Sequence, residues 1–409
     1  MQTNNEETAM QHLAVCFLTG MAFGMVALDA GAQPKYDPGA SDTEIVIGQT
    51  LPYSGPVSSY GTLGRAQVAY FQKINDEGGI NGRKIRLISL DDAYSPPRTL
   101  ELTRRLVERD NVLVVYSTIG TPTNTAIHRY LNSRKVPHLL LSSGATKWND
   151  PKNYPWSIGW QPNYHNEGKL YAKYILQTKP DARIAILYPN DDFGKDYAVG
   201  FKEGLGDKTS LIVGEATYET SDPTVDSQII GLKQSGADVF FNMGTPKFAA
   251  QAIRKSAEVG WKPQQFLVNV SSSVGAVMKP AGFENAQGLI TIAYLKDPLD
   301  ERWRDDPGAQ EYLAFMKKYY PEGDLHDHMN VLATASAQTL VQILTQAGDD
   351  LTRENVMRQA TNMKDVSTPL LLPGVTINTS PDDYAPIKTV QMMRFEGEEW
   401  VPFGEPIGN

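Results

Sequence analysis

The sequence predicts an α/β chain of two similar lobes with a cleft between them. Three observations carry this reading. Short apolar, β-branched runs alternate with stretches of helical periodicity. The alternation stops in a loop rich in Trp, Pro and Asn at 148–163 and then restarts. A Thr-Pro helix start follows one strand in each half, at Thr121-Pro122 and at Thr245-Pro246.

In the first half the spacing predicts strands at 45–49, 85–90, 112–116 and 138–141, separated by helices over 60–77, 96–109 and from Thr121 onward. Gly78-Gly79 ends the first helix, and Asn81-Gly82 is a tight-turn signal. Ser95 and Thr121 are read as N-caps, each followed by a proline where no N–H is needed. After the loop come a helix over 164–177 and strands at 183–187, 211–217, 239–243 and 266–270, with helices over 195–205, 224–234 and 247–259 between them. Helices over 309–319, 331–346 and 353–360 precede a β-rich tail with a strand at 389–395 and a short acidic turn.

At the amino terminus, residues 13–28 are uncharged and mostly apolar, too short for a comfortable membrane span, and Ala30-Gly31-Ala32 has the form of a signal-peptidase site. Cleavage before Gln33 is expected, with an uncleaved anchor as the alternative. No Lys or Arg precedes Leu13, so Met10 is a candidate start. Residues 33–42 read as a linker. The single cysteine, Cys16, lies in the leader, so the mature chain is indifferent to an oxidising compartment.

The chain is 409 residues long, enough for two domains, and carries a net charge of -9 with interspersed signs. That leaves no basic field for nucleic acid. Residues 111–146 form the stretch around which the chain is organised. Two strand ends there finish in small hydroxyl residues, one at Gly120, Thr121 and Thr123, the other at Ser142, Ser143, Gly144 and Thr146. A helix start attracts an anion through its free amides and dipole, and hydroxyls add donors without charge. Asp91-Asp92 and Asp191-Asp192 read as caps or loop bonds rather than catalytic pairs. The scattered histidines, with His326-Asp327-His328 the only cluster, lack metal spacing. There is no nucleophile elbow, phosphate loop or dinucleotide fingerprint. Pockets and donors without a reactive pair favour a binding protein over an enzyme, with neither metal nor cofactor expected.

Five motifs in order, GQTLPYSGPVSSYG (48–61), INDEGGINGRKI (74–85), DDAYSPPRT (91–99), SSGAT (142–146) and YPNDDFGKDY (188–197), make the chain resemble the periplasmic solute-binding proteins of ABC importers, of the branched-chain amino acid (Leu/Ile/Val-binding) type. The resemblance runs from about residue 44 to 400. It implies the type I periplasmic-binding-protein fold, two Rossmann-like lobes joined by three crossovers near Asn163, Ile290 and Val366, closing on a ligand. Lobe 1 is then 43–163 and 291–366, and lobe 2 is 164–290 and 367–409. A periplasmic location, a small-molecule ligand, membrane permease subunits as partners and a monomeric state follow as expectations.

The same resemblance places Thr121 on the ligand carboxylate, Gly144 and Thr146 beside it through a backbone group and a hydroxyl, and Tyr60 at an aromatic wall. Phe193 matches an aromatic contact, and Thr245 stands where amino acid binders often carry Tyr. The departure is Val270, which occupies the position of the acidic residue that pairs with a ligand ammonium. An ammonium buried without a carboxylate is disfavoured by several kcal/mol. The expected ligand is therefore a small carboxylate without an amine, an aromatic or hydrophobic acid, with Tyr60, Tyr94, Trp160, Phe193 and Phe248 as candidate apolar surfaces. Two alternatives stay open: an amino acid or amide binder using Asp191, Asp192 or Glu167, and a sensory protein that presents its ligand to a membrane receptor.

Overall fold

The computed structural model describes residues 35–408. The expected leader, residues 1–32, lies outside the described residues. Lobe 1 is built on strands β1 (Glu44–Leu51), β2 (Lys84–Asp91), β3 (Val114–Tyr116), β4 (His138–Leu141) and β5 (Ser157–Gly159). They pair in parallel in the order β2-β1-β3-β4-β5. Every residue of β1 after Glu44 is buried, as a strand covered on both faces requires. The covering helices are α1 (Gly61–Asp76), α2 (Pro96–Glu108) and α3 (Thr121–Ser133).

Lobe 2 repeats the plan with α4 (Tyr164–Thr178), β6 (Ile184–Pro189), α5 (Asp192–Leu205), β7 (Ile212–Tyr218), α6 (Asp226–Gln234), β8 (Val239–Asn242), α7 (Pro246–Glu258), β9 (Gln264–Leu267) and β10 (Ile290–Ala293). The parallel order is β7-β6-β8-β9-β10, extended antiparallel by β11 (Thr389–Glu396) and β12 (Glu399–Pro402). Between β10 and β11 the chain returns to lobe 1 as α8 (Pro307–Tyr319), α9 (His328–Ala347) and α10 (Arg353–Ala360). Helix α9 packs on α1 and buries Leu332, Ala335, Leu340 and Leu344 completely or nearly so. Each such leucine contributes about 1.5–3 kcal/mol of transfer free energy. The chain thus passes between the lobes three times. Among the described residues no helix is long and apolar enough to cross a membrane.

Several local expectations are corrected. The helix start at Thr121 is capped by Gly120, whose φ of 97° suits glycine, and Thr121 sits inside the first turn. The cause is a set of bonds back to the preceding loop: Asn124 Nδ2 donates to the Thr118 and Gly120 carbonyls (2.9 and 2.7 Å), and the Thr123 hydroxyl donates to the Ile119 carbonyl (2.5 Å). Ser95 occupies its cap position without a side-chain bond. Asp92 fixes the turn before the helix instead, accepting from the Tyr94 N–H and the Thr99 hydroxyl (both 2.9 Å). The 148–163 loop contains the unpredicted strand β5, too short for periodicity to register. The stretch read as a linker carries Lys35–Tyr36, paired in parallel with Asp350–Leu351. Val270 lies beyond β9, in a single turn at Asn269–Ser271.

Candidate ligand-binding cleft

In each lobe the strand order reverses direction beside the first strand, and the crevice outside the carboxyl ends at such a switch point is where α/β sheets take ligands. Here the two crevices face one another across a narrow cavity whose void is about 310 Å³ when the open solvent at its mouth is included. Lobe 1 contributes Tyr60 beyond β1, Tyr94 beyond β2, Ile119, Gly120 and Thr121 beyond β3, Ser142 beyond β4 and Gln161 beyond β5. Lobe 2 contributes Phe193 beyond β6, Thr245 beyond β8 and Val270 beyond β9. Tyr164, at the first crossover, and Met329, at the start of α9, complete the lining.

The Thr121 hydroxyl is oriented by a short relay. Trp148 donates its indole N–H to Ser143 Oγ (2.9 Å), and Ser143 Oγ lies 2.8 Å from Thr121 Oγ1. With one lone pair taken by the indole and the other facing the Ala145 N–H (3.4 Å), Ser143 is free to donate to Thr121, which leaves the Thr121 proton for an acceptor in the cavity. Gly120 is bound to its place twice over. Besides its positive φ, an added Cβ would lie 2.4 Å from the Tyr94 ring. Across the cavity the Tyr60 hydroxyl points to the Val270 carbonyl at 3.4 Å, and Thr245 receives the Tyr218 side chain behind it, with its N–H 2.9 Å from the phenol oxygen.

Other expected residues stand outside the lining. The Thr123 hydroxyl is turned back to its own backbone. Ser143 lies behind Thr121 in the relay. Gly144 allows the close passage of the first crossover, since a Cβ there would meet the Pro162 carbonyl oxygen at 2.1 Å. Trp160 is 1% exposed and donates to Thr339 Oγ1 (3.0 Å), and Phe248 packs on Tyr218 in the lobe 2 core with ring centroids 4.3 Å apart. Thr146 bridges the lobes instead: its N–H and hydroxyl lie 3.0 and 3.2 Å from Asp196. Beside it, Asp192 accepts from Lys147 Nζ (2.7 Å) and the Thr125 hydroxyl (3.0 Å). Ile119, Gln161, Tyr164 and Met329 were not anticipated. Gln161 and Tyr164 follow the unpredicted strand, and Met329 reaches the cleft from a segment far along the chain.

Among the described residues the cavity lining holds no Asp, Glu, Lys, Arg or His. Burial pushes the phenols of Tyr60, Tyr94 and Tyr164 well up, so they stay neutral. The nearby carboxylates are engaged elsewhere. Asp191 caps α5 through the Phe193 and Gly194 N–H groups (2.9 and 3.1 Å), Asp192 holds the interlobe bridge, and neither lines the cavity.

Glu167 is 2% exposed and accepts from the Tyr171 and Tyr197 hydroxyls (2.8 and 2.7 Å), the Asn269 N–H (2.9 Å) and the Asn269 side-chain amide. It thereby anchors the turn that carries Val270. Burial pushes its carboxyl up to about 7 against the pull of those four donors. A carboxyl raised from its unfolded value favours folding most when protonated. Its contribution is complete below about 4.5 and is lost as pH rises through about 7. Urea unfolding at pH 5 and pH 8 should therefore show a loss that Glu167→Gln lacks, on the order of 3 kcal/mol. Parallel pH profiles for the two proteins would contradict this role.

Residues 44–399 match the family described as Periplasmic binding protein. The Leu/Ile/Val-binding protein homolog 7 of Brucella suis biovar 1 is 24% identical over 318 residues, 75% of this chain and 77% of that protein. The fold resembles a branched chain amino acid ABC transporter structure from Thermus thermophilus with bound valine, at a TM-score of 0.81 and 16% identity, covering 90% of this chain and 98% of that one. It also resembles an ABC transporter solute binding protein from R. palustris in complex with benzoate, at a TM-score of 0.74 and 18% identity, with 90% and 98% covered. The matched span takes in both lobes and the cleft between them, and the chain belongs to the periplasmic binding protein family.

Proposed function

We propose that this protein is the extracytoplasmic solute-binding component of an ABC importer and captures a small carboxylate without an amine, an aromatic or hydrophobic acid, by closure of the two lobes. One observation carries the reading: a cleft walled by aromatic rings and Val270, with neutral donors on one side and no carboxylate to receive an ammonium. Thr121 and the first turn of α3 bind the carboxylate. Gln161 Oε1 accepts from the Tyr164 hydroxyl (2.9 Å), so its amide N–H groups remain for the ligand. Tyr60, Tyr94, Tyr164 and Phe193 enclose the apolar body. Benzoate in a structure of the same fold supports the class of ligand. The protein works as a secreted monomer after loss of its leader, hands the ligand to permease subunits and leaves it chemically unchanged.

A thermal-shift screen of organic acids against their α-amino counterparts tests this. An aromatic or hydrophobic acid should give the largest shift, and a larger shift from a branched-chain amino acid would overturn the reading. Mass analysis after incubation should return the acid intact.

Closure is held at the rim by Lys147, Thr125 and Thr146 on lobe 1 and Asp192 and Asp196 on lobe 2. Exposed ion pairs contribute about 0–1 kcal/mol. Asp192→Asn should thus weaken binding of the best acid by only about two- to fivefold, mainly through faster dissociation. Stopped-flow fluorescence separates the two rates, and an unchanged dissociation rate would remove the rim bridge from the mechanism.

A further inference from the structure

A second cavity, whose void is about 810 Å³ when the open solvent at its mouth is included, lies on the far side of the turn that carries Val270. Asn269 and His328 line it, while their neighbours Val270 and Met329 line the cleft, so these residue pairs form the partition between the two spaces. Its walls come from both lobes, with Leu325 and His328 from lobe 1 and Met393 and Trp400 from lobe 2, and Trp303 and Leu372 from the crossovers close it. The lobes are bonded beside it by Ser273 Oγ to Asp327 (2.9 Å) and by the Gly275 N–H to the His326 carbonyl (3.0 Å).

Its polar groups select the occupant. The charges at its rim are paired with one another, Lys296 with Asp306 at 2.7 Å and Arg302 with Asp300. Asp297 accepts the Leu299 N–H at 3.0 Å, and burial favours its neutral form. His328 is different. Among the described residues its ring makes no hydrogen bond, and Nδ1 is buried without a partner. Burial pulls its pKa down to about 4, so the ring is neutral and presents one N–H and one lone pair.

We propose that this cavity is a second binding site, distinct from the cleft, for a neutral aromatic alcohol of the phenol class. The ring lies against the indoles of Trp303 and Trp400, and the hydroxyl bonds to His328. A group that both donates and accepts satisfies either tautomer of the imidazole. Among the described residues an anion finds no unpaired Lys or Arg at this cavity. Because both lobes supply walls, occupancy also favours the closed arrangement and so tightens binding in the cleft by linkage.

The test uses 4-bromophenol near neutral pH, with calorimetry on the full protein and bromine anomalous scattering from co-crystals. The bromine should lie between Trp303 and Trp400, with the phenol oxygen within hydrogen-bond distance of His328. His328→Phe should weaken binding by roughly three- to tenfold, the loss of one neutral hydrogen bond. Leu372→Trp, from a half-buried wall position, should abolish it while keeping wild-type melting and wild-type affinity for the acid in the cleft. Bromine found only in the cleft overturns the site. So does a Leu372→Trp protein of wild-type melting that binds 4-bromophenol as before, or binding in crystals without any calorimetric heat. The acid screen reads the cleft alone, so failure here leaves the proposed function standing.

Discussion

Thr121→Val is expected to weaken binding of the best acid from the screen by roughly ten- to a hundredfold while leaving the fold intact. The hydroxyl is the one side-chain donor at the start of α3 that lines the cavity and is aligned by the Trp148–Ser143 relay. A hydrogen bond to a charged group contributes about 1.5–3 kcal/mol, which sets the size of the effect. Valine keeps the shape of threonine, and Ser143 retains its indole partner, so the melting temperature should fall by only a few degrees, equivalent to about 1 kcal/mol. Calorimetry measures the first quantity and a thermal melt the second. Normal affinity in the valine protein would show that the carboxylate lies elsewhere, and Thr121 would be left with a packing role beside Ser143.

Val270→Glu should do more, reducing affinity for the same acid by over about a hundredfold. Two like charges about 4 Å apart repel by roughly 4 kcal/mol at the effective dielectric of a protein surface, before any desolvation is counted. The side chain at this position faces the cavity from a turn whose neighbour Asn269 is clamped by Glu167, so the new carboxylate has little freedom to withdraw. The α-amino counterpart of the acid should lose much less, because its ammonium gains a partner. Calorimetry with both ligands decides the matter. Equal losses for acid and amino acid would mean that Val270 does not face the ligand's α-substituent, and unaltered acid binding would remove it from the site.

Much of the cleft was legible because strand exits are local features. In a parallel sheet built of strand–helix units every strand ends at the same edge, so the residues after each strand gather there whatever the distant packing. Tyr60, Tyr94, Gly120, Thr121, Phe193, Thr245 and Val270 all follow strand ends, and all line the cavity. The sequence by itself therefore determined the two-lobed alternation, the edge that carries the cleft, and the placing of Val270 at a strand end on that edge.

Only the tertiary structure decided which way each side chain at that edge turns. Thr146 is drawn to Asp196, 50 positions away in sequence. Ser143 is taken by Trp148, and Trp160 by Thr339, 179 positions away. Glu167 meets Asn269 across 102 positions to hold the Val270 turn. The second cavity likewise gathers walls from the turn after β9, from β10, the crossovers, α9 and β11. A hydroxyl or amide bonds to whatever partner folding brings within 3 Å, and periodicity records the face that a residue occupies without naming that partner.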